Sequence, residues 1–186
     1  FRSETEEVTQ EEKAEAYAKA LLDGSLKLKN WNSAVENFLN RARFLGREYP
    51  EFEVGELDDS TLRLFYEQLC SLESTWKQIR NLEVLAPLKA CYSSEALARL
   101  DAAAPESIDL GNGKKPYQIR YEESGEAALQ ASLQDLYEVS SHPCIVYGRH
   151  PLVVEILAPN RRPVQRTSDL PGFWSGAYPM IRKELA

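Results

Sequence analysis

No apolar run in this 186-residue chain approaches the roughly 20 residues needed to cross a bilayer, so a helical membrane span is excluded and no membrane partner is expected. The first residues, FRSETEEVTQEEKAEAY, are polar and acidic where a secretory signal would be basic and then apolar. The chain starts at Phe1 rather than Met, which is the expectation for a piece of a longer protein whose targeting segment lies outside it. Cysteine is scarce: Cys70, Cys91 and Cys144 are odd in number and widely spaced, which argues against a disulfide framework and for a reducing compartment. They read as small buried hydrophobes, and an intracellular, cytoplasmic location is expected, with an organelle left open. Histidine is scarcer still. His142 and His150 flank Cys144, but three widely placed ligands without a second nearby Cys fall short of a structural zinc site, and nothing orients Cys144 and His150 as nucleophile and base.

The catalytic signatures are missing as well. The chain has no Gly-x-x-x-x-Gly-Lys-Ser/Thr phosphate loop, no Gly-x-Gly-x-x-Gly, no Gly-x-Ser-x-Gly and no His-Glu-x-x-His. No catalytic or metal-ligating residue is expected, no cofactor of the chain's own, and no motif supports an independent enzyme. Positive charge is also short. A formal net charge of −7 runs against a general nucleic-acid binder, whose basic footprint neutralises phosphates. Neither an internal repeat nor a low-complexity linker divides the chain.

What is present is an ordinary globular composition, 43% hydrophobic, enough for one core or two small ones. Residues 1–105 read as a helical region. Thr9 with Glu12 and Ser33 with Glu36 are capping-box patterns, Val35, Phe38, Leu39, Ala42 and Leu45 recur at helical spacing, and Asp58 to Ser60 can cap a helix carrying Leu62, Phe65, Tyr66 and Leu69. Trp31 and Trp76 belong to these apolar faces and predict core packing. Pro87 is expected to end the next helix, and SSEALARLDAAAP adds a short one. Residues 106–186 read as an α+β unit. The period drops to 2 at Tyr117, Ile119 and Tyr121, with Asn112-Gly113 predicting a two-residue hairpin turn. SGEAALQASLQDLYEV then predicts a helix, while CIVYG, LVVEILA and VQRTS predict strands. Asp169 caps a last helical stretch that breaks near Gly176 and Pro179. The expected fold class is α+β: a helical, bundle-like half followed by a small unit with a mostly antiparallel sheet.

The tail departs from the acidic average. Residues 1–105 carry 13 basic and 19 acidic side chains, whereas 143–186 carry six and three. Arg161, Arg162 and Arg166 could form a basic strip, since strand alternation places Arg162 and Arg166 on one face if the strand runs that far, although an isolated feature of this kind is usually a solvated edge. Lys114 and Lys115 could extend such a strip only if their hairpin lies alongside. Phe173 and Trp174 point about 100° apart on a helix, so one can anchor the core while the other faces a partner, with burial of both the ordinary alternative.

The stretch RRPVQRTSDLPGFWSGAYPMIRKEL resembles the C-terminal region of HrpB-type DExH-box ATP-dependent RNA helicases. The likeness is carried by Arg162, Pro163, Gln165, Thr167, Asp169, Leu170, Phe173, Trp174, Tyr178, Arg182, Lys183 and Glu184, and it extends upstream through PLVVEILAPNRRP and LQDLYEV. The chain departs from that family in stopping at Ala186, short of a further tail, and in lacking the two motor domains. The resemblance implies a non-catalytic accessory domain that packs on the helicase motor domains of the same protein, with ATP and Mg used by those domains. It also frames a single-stranded RNA hypothesis: Arg161, Arg162 and Arg166 on phosphates and Trp174 stacking a base, while Asp169, Phe173, Trp174 and Tyr178 hold the motif together. The alternative is a protein-interaction or motor-positioning module that does not contact RNA, which the acidic helical half favours.

Overall fold

In the computed structural model, which describes residues 7–185, local polar signals set most helix ends. Phe1 to Glu6 and Ala186, at the edges of the expected helical and α+β regions, lie outside the described residues. Thr9 and Glu12 form the predicted capping box: Glu12 N–H donates to Thr9 Oγ1 at 3.2 Å and Thr9 N–H to Glu12 Oε2 at 2.8 Å. Helix α1 (Gln10–Leu22) follows, and Gly24 leaves it at φ +83°, a conformation that costs glycine no Cβ clash. The second capping device sits one residue before its expected place. Asn32 Oδ1 accepts from the N–H groups of Ala34 and Val35 at 3.1 and 3.2 Å, so Asn32 caps α2 (Ser33–Glu48), and Glu36 takes the indole N–H of Trp31 at 2.5 Å instead. Asp58 caps α3 (Asp59–Cys70) through Thr61 N–H at 2.8 Å, as expected. Helices α4 (Trp76–Arg80), α5 (Leu85–Lys89) and α6 (Ser94–Ala103) complete the series. Pro87 lies in the first turn of α5 rather than after a helix, because first-turn N–H groups have no intrahelical acceptor to lose.

Packing sorts these helices into two units whose boundaries do not follow chain order. The helical unit comprises the chain up to Leu39 with Gly55–Leu97. Within it α1 packs along α3, burying Ala14, Ala18 and Leu21 from one helix and Phe65, Tyr66, Leu69 and Cys70 from the other. Trp31 meets Tyr66 with ring centroids 5.7 Å apart, and Trp76 meets Tyr17 at 5.5 Å, so both indoles serve packing. Of the three cysteines only Cys70 is buried; Cys91 is exposed and Cys144 is intermediate, which corrects the reading of all three as buried hydrophobes.

The α+β unit comprises Asn40–Val54 with Ala98 onward, so the second half of α2 belongs to it. Strands β1 (Ser107–Ile108) and β2 (Tyr117–Gln118) pair antiparallel. The hairpin is real, but eight residues join its strands: Asn112 is not left-handed, and its Nδ2 donates to Tyr117 Oη and Asp135 C=O. The main sheet has the order β3 (Arg120–Tyr121), β4 (Ala127–Ser132), β7 (Val153–Leu157), β8 (Pro163–Thr167). Only β4 and β7 run parallel. β4 lies where a helix was expected. Its three alanines and Leu129 are buried between β3 and β7 while Gln130 is exposed, and the sheet overrides the helix-forming composition. The remaining helix is the short α7 (Leu133–Leu136), capped by Ser132. CIVYG splits into β5 (Cys144–Ile145) and a turn leading to β6 (His150–Pro151). The chain closes with α8 (Leu170–Ser175) and α9 (Ala177–Leu185), broken at Gly176 alone, since Pro179 sits in the first turn of α9.

One cation is buried at the heart of this unit. Arg41 is 1% exposed; its Nε donates to Ala104 C=O at 2.8 Å, and its two terminal nitrogens reach Asp101 Oδ1 at 2.8 Å and Glu106 Oε1 at 3.2 Å. A buried guanidinium is tolerable when its donors are met in this way.

Candidate functional site

The closing motif is organised around the start of α8. Asp169 Oδ1 accepts Gly172 N–H at 3.0 Å, the cap predicted for it. A Cβ on Gly172 would collide with that same carboxylate, which explains the glycine three residues after the cap. A further contact was not legible beforehand. His142 Nδ1 accepts Leu170 N–H at 3.0 Å while its Nε2–H donates to Leu152 C=O at 2.6 Å. Those two bonds fix the neutral Nε2–H tautomer and tie α8 to the approach of β7. His142, considered for zinc in the sequence, is therefore a clamp on the motif.

The two adjacent aromatics divide their roles. Phe173 is buried at 3% exposure, and Trp174 is half-buried. The Trp174 ring lies 5.0 Å from Tyr178, 5.2 Å from Phe173 and 5.6 Å from Tyr137, centroid to centroid. Tyr178 Oη and Tyr137 Oη share a hydrogen bond at 3.2 Å, and that bond is the first cause that raises the Tyr137 hydroxyl above its ordinary pKa. Tyr137, at the C-terminal end of α7, is 54% exposed. It escaped notice because LQDLYEV looked like the end of a longer helix. The cluster leaves indole and phenol edges at the surface and can stack a flat ligand or pack on an apolar partner.

The arginines separate likewise. Arg161 and Arg162 are exposed, Arg161 at φ +63° in the turn before β8, and neither side chain has an ion-pair partner among the described residues. Arg166 is different. Its guanidinium bonds Glu126 and lies 3.4 Å from Glu155, its direct cross-strand neighbour. Glu155 also accepts from Arg120 at 2.5 Å and from Gln130 at 2.9 Å. Burial pushes the Glu155 carboxyl up, but the hydrogen bonds from Gln130 and Arg120 and the charges of Arg120 and Arg166 outweigh it, so the group sits below the usual carboxylate range. Arg120, Glu155 and Arg166 line an open cleft of about 420 Å³ of mixed charge. The strand does not run as far as Arg162: β8 begins at Pro163, so only Arg166 lies on it, where Glu126 and Glu155 pair it, and the basic strip considered from the sequence reduces to Arg161 and Arg162 in the turn. Lys114 and Lys115 are exposed in the loop between β1 and β2.

Among the described residues, no helix is long and apolar enough to cross a membrane. The family described as ATP-dependent helicase C-terminal matches residues 65–186. The chain is 29% identical to the ATP-dependent RNA helicase HrpB of Escherichia coli (strain K12), over 95% of its own length and 22% of that protein's. It is also similar to two solved structures of the Escherichia coli protein. One, a DExH-box NTPase HrpB, is matched at TM-score 0.79 and 29% identity over 96% of this chain and 22% of that one. The other, a DEAH/RHA helicase HrpB, is matched at TM-score 0.76 and 26% identity over 99% and 24%. The chain thus spans about a fifth to a quarter of these relatives' lengths. With the closing motif and the α+β architecture in agreement, the chain belongs to the ATP-dependent helicase C-terminal family.

Proposed function

We propose that this chain is the non-catalytic C-terminal accessory domain of an ATP-dependent RNA helicase, packing on the motor domains of the same protein and guiding single-stranded RNA. ATP and Mg act in the motor domains. The observation that carries the RNA part is the exposed Arg161–Arg162 turn, whose side chains have no ion-pair partner among the described residues, whereas Arg166 of the same motif is held by Glu126 and Glu155. Trp174 offers part of an aromatic face, the second component of sequence-tolerant single-strand binding. Arg166 must leave Glu126 and Glu155 to meet a phosphate, so its contribution is smaller than that of Arg161 and Arg162.

The test is binding of a uridine oligoribonucleotide across a salt series. The Arg161→Ala/Arg162→Ala double variant should bind more weakly and lower the slope of log K against log salt by about 1.4, two single-strand phosphate contacts. Arg166→Ala should change both less. One observation favours a second reading: Arg166 is neutralised within a chain of net charge −7, as suits an interaction module that positions the motor without touching RNA. Unchanged affinity and slope in the double variant would decide for that reading.

A further inference from the structure

Among the described residues, the non-glycine residues with left-handed backbone are Glu53, Val146, Tyr147 and Arg161. Three of them meet at one place in the α+β unit. Val146, a β-branched residue for which φ +54° is unfavourable, is buried and donates its N–H to Ala103 C=O at 2.8 Å. Arg149 N–H closes on Val146 C=O at 3.0 Å, so Tyr147 and Gly148 occupy the centre of a tight turn, both with positive φ. Asn-Gly or Asp-Gly is the usual pair there. The tyrosine serves the turn poorly, and it is 70% exposed. Its ring is nevertheless ordered against Phe52, with centroids 6.1 Å apart and planes 17° from parallel, next to left-handed Glu53. Arg149 stands two residues on, its guanidinium 4.9 Å from the Tyr49 ring and 2.7 Å from Glu51.

Backbone strain of this kind persists where the surroundings enforce it and gathers at sites of function. We infer that the outward face of Tyr147 is a stacking platform for a nucleobase of single-stranded RNA, which extends the Phe52–Tyr147 stack. The inference rests on the RNA reading above and adds a contact on different residues. A protein partner fits the spot less well, because binding hot spots are well-packed clusters, and Tyr147 is one ring at a tip followed by exposed Gly148 and Arg149. A base needs only one flat face. Arg149 is already bonded to Glu51, so stacking is the main contribution and phosphate contact a lesser one.

The experiment compares an adenosine oligoribonucleotide with a ribose-phosphate oligomer of the same length lacking bases, on the whole chain. Tyr147→Ala and Tyr147→Asn should lose about tenfold in affinity for the base-bearing oligomer, and Tyr147→Phe should keep it. Affinity for the abasic oligomer should be the same in all four proteins. Tyr147→Asn, whose side chain suits the turn, should unfold no earlier than the wild type, which separates binding from folding. Wild-type affinity for the base-bearing oligomer in Tyr147→Ala, or an equal loss on both oligomers, overturns the platform and leaves the RNA reading standing. A wild-type chain that binds neither oligomer overturns both.

Discussion

In the helical unit most polar side chains act within a few residues of their own position: Thr9 with Glu12, Asn32 with Ala34 and Val35, Asp58 with Thr61, Thr75 with Gln78. In the α+β unit they reach across the fold. Arg41 meets Ala104, Asn40 donates to Tyr121 C=O at 3.0 Å, Arg99 to Phe52 C=O at 2.6 Å, Tyr121 Oη to Pro105 C=O at 2.6 Å, and His142 joins Leu152 to Leu170. Helices satisfy their own backbone groups and need help only at their ends. Strands of two residues satisfy few, so side chains must complete the account for buried carbonyls and amides. A polar truncation should therefore fray an end in one unit and orphan a buried group in the other. Asn30, whose Nδ2 bridges the carbonyls of Asn81 and Leu82, and Gln10, whose Nε2 donates to Glu73 C=O at 2.8 Å, are exceptions in the helical unit.

The sharpest test is Arg41→Ala, which removes a large buried side chain and leaves Ala104 C=O unmet. It should destabilise the chain by about 3 to 4 kcal/mol in urea unfolding. Next is His142→Ala, which orphans one donor and one acceptor on residues buried to 0% exposure and should cost about 2 kcal/mol. A loss under about 0.5 kcal/mol for either, the range of ordinary surface changes, would break the comparison. In the helical unit Asn32→Ala should cost about 1 kcal/mol, while Ser33→Ala, one residue beyond the cap, should cost almost nothing. The smallest effect is on pH dependence. Burial against Phe44 and Tyr49 pushes the His150 pKa down, with the charge of Glu48 partly opposing. The folded state therefore favours neutral imidazole, so the contribution is complete above about pH 6.5, the unfolded value, and declines as pH falls below it. His150→Phe should flatten the stability profile on that acid side, read from denaturant midpoints between mild acid and neutrality.

The same contrast explains which expectations survived. Caps at Thr9 and Asp58 and the helices they open were legible because their partners are three residues away. Asn32 displaced Ser33 as a cap through a contact equally local but misjudged by one residue. In the second half, Ala127–Ser132 reads as helix by composition and becomes β4 because β3 and β7 flank it. Asn112-Gly113 signals a tight turn, yet Asn112 is drawn to Tyr117 and Asp135 and the loop lengthens. At the candidate site, Asp169 as a cap could be read directly, whereas the sequence left open which of Phe173 and Trp174 is the anchor. The pairing of Arg166 could not, since Glu126 lies 40 residues away in sequence and arrives by sheet register.

By itself, then, the sequence determined the α+β class, the caps that open α1 and α3 and the family likeness of the closing motif. All of these reside in residue spacing over a turn or two of chain, or in a contiguous motif. Only the tertiary structure decided that Arg166 is neutralised while Arg161 and Arg162 stay free, that His142 clamps α8, and that Tyr147 projects from a strained turn. Those outcomes depend on which distant backbone and carboxylate groups each side chain meets, and electrostatic and hydrogen-bonding partners at that range are set by strand register and packing, not by local propensity.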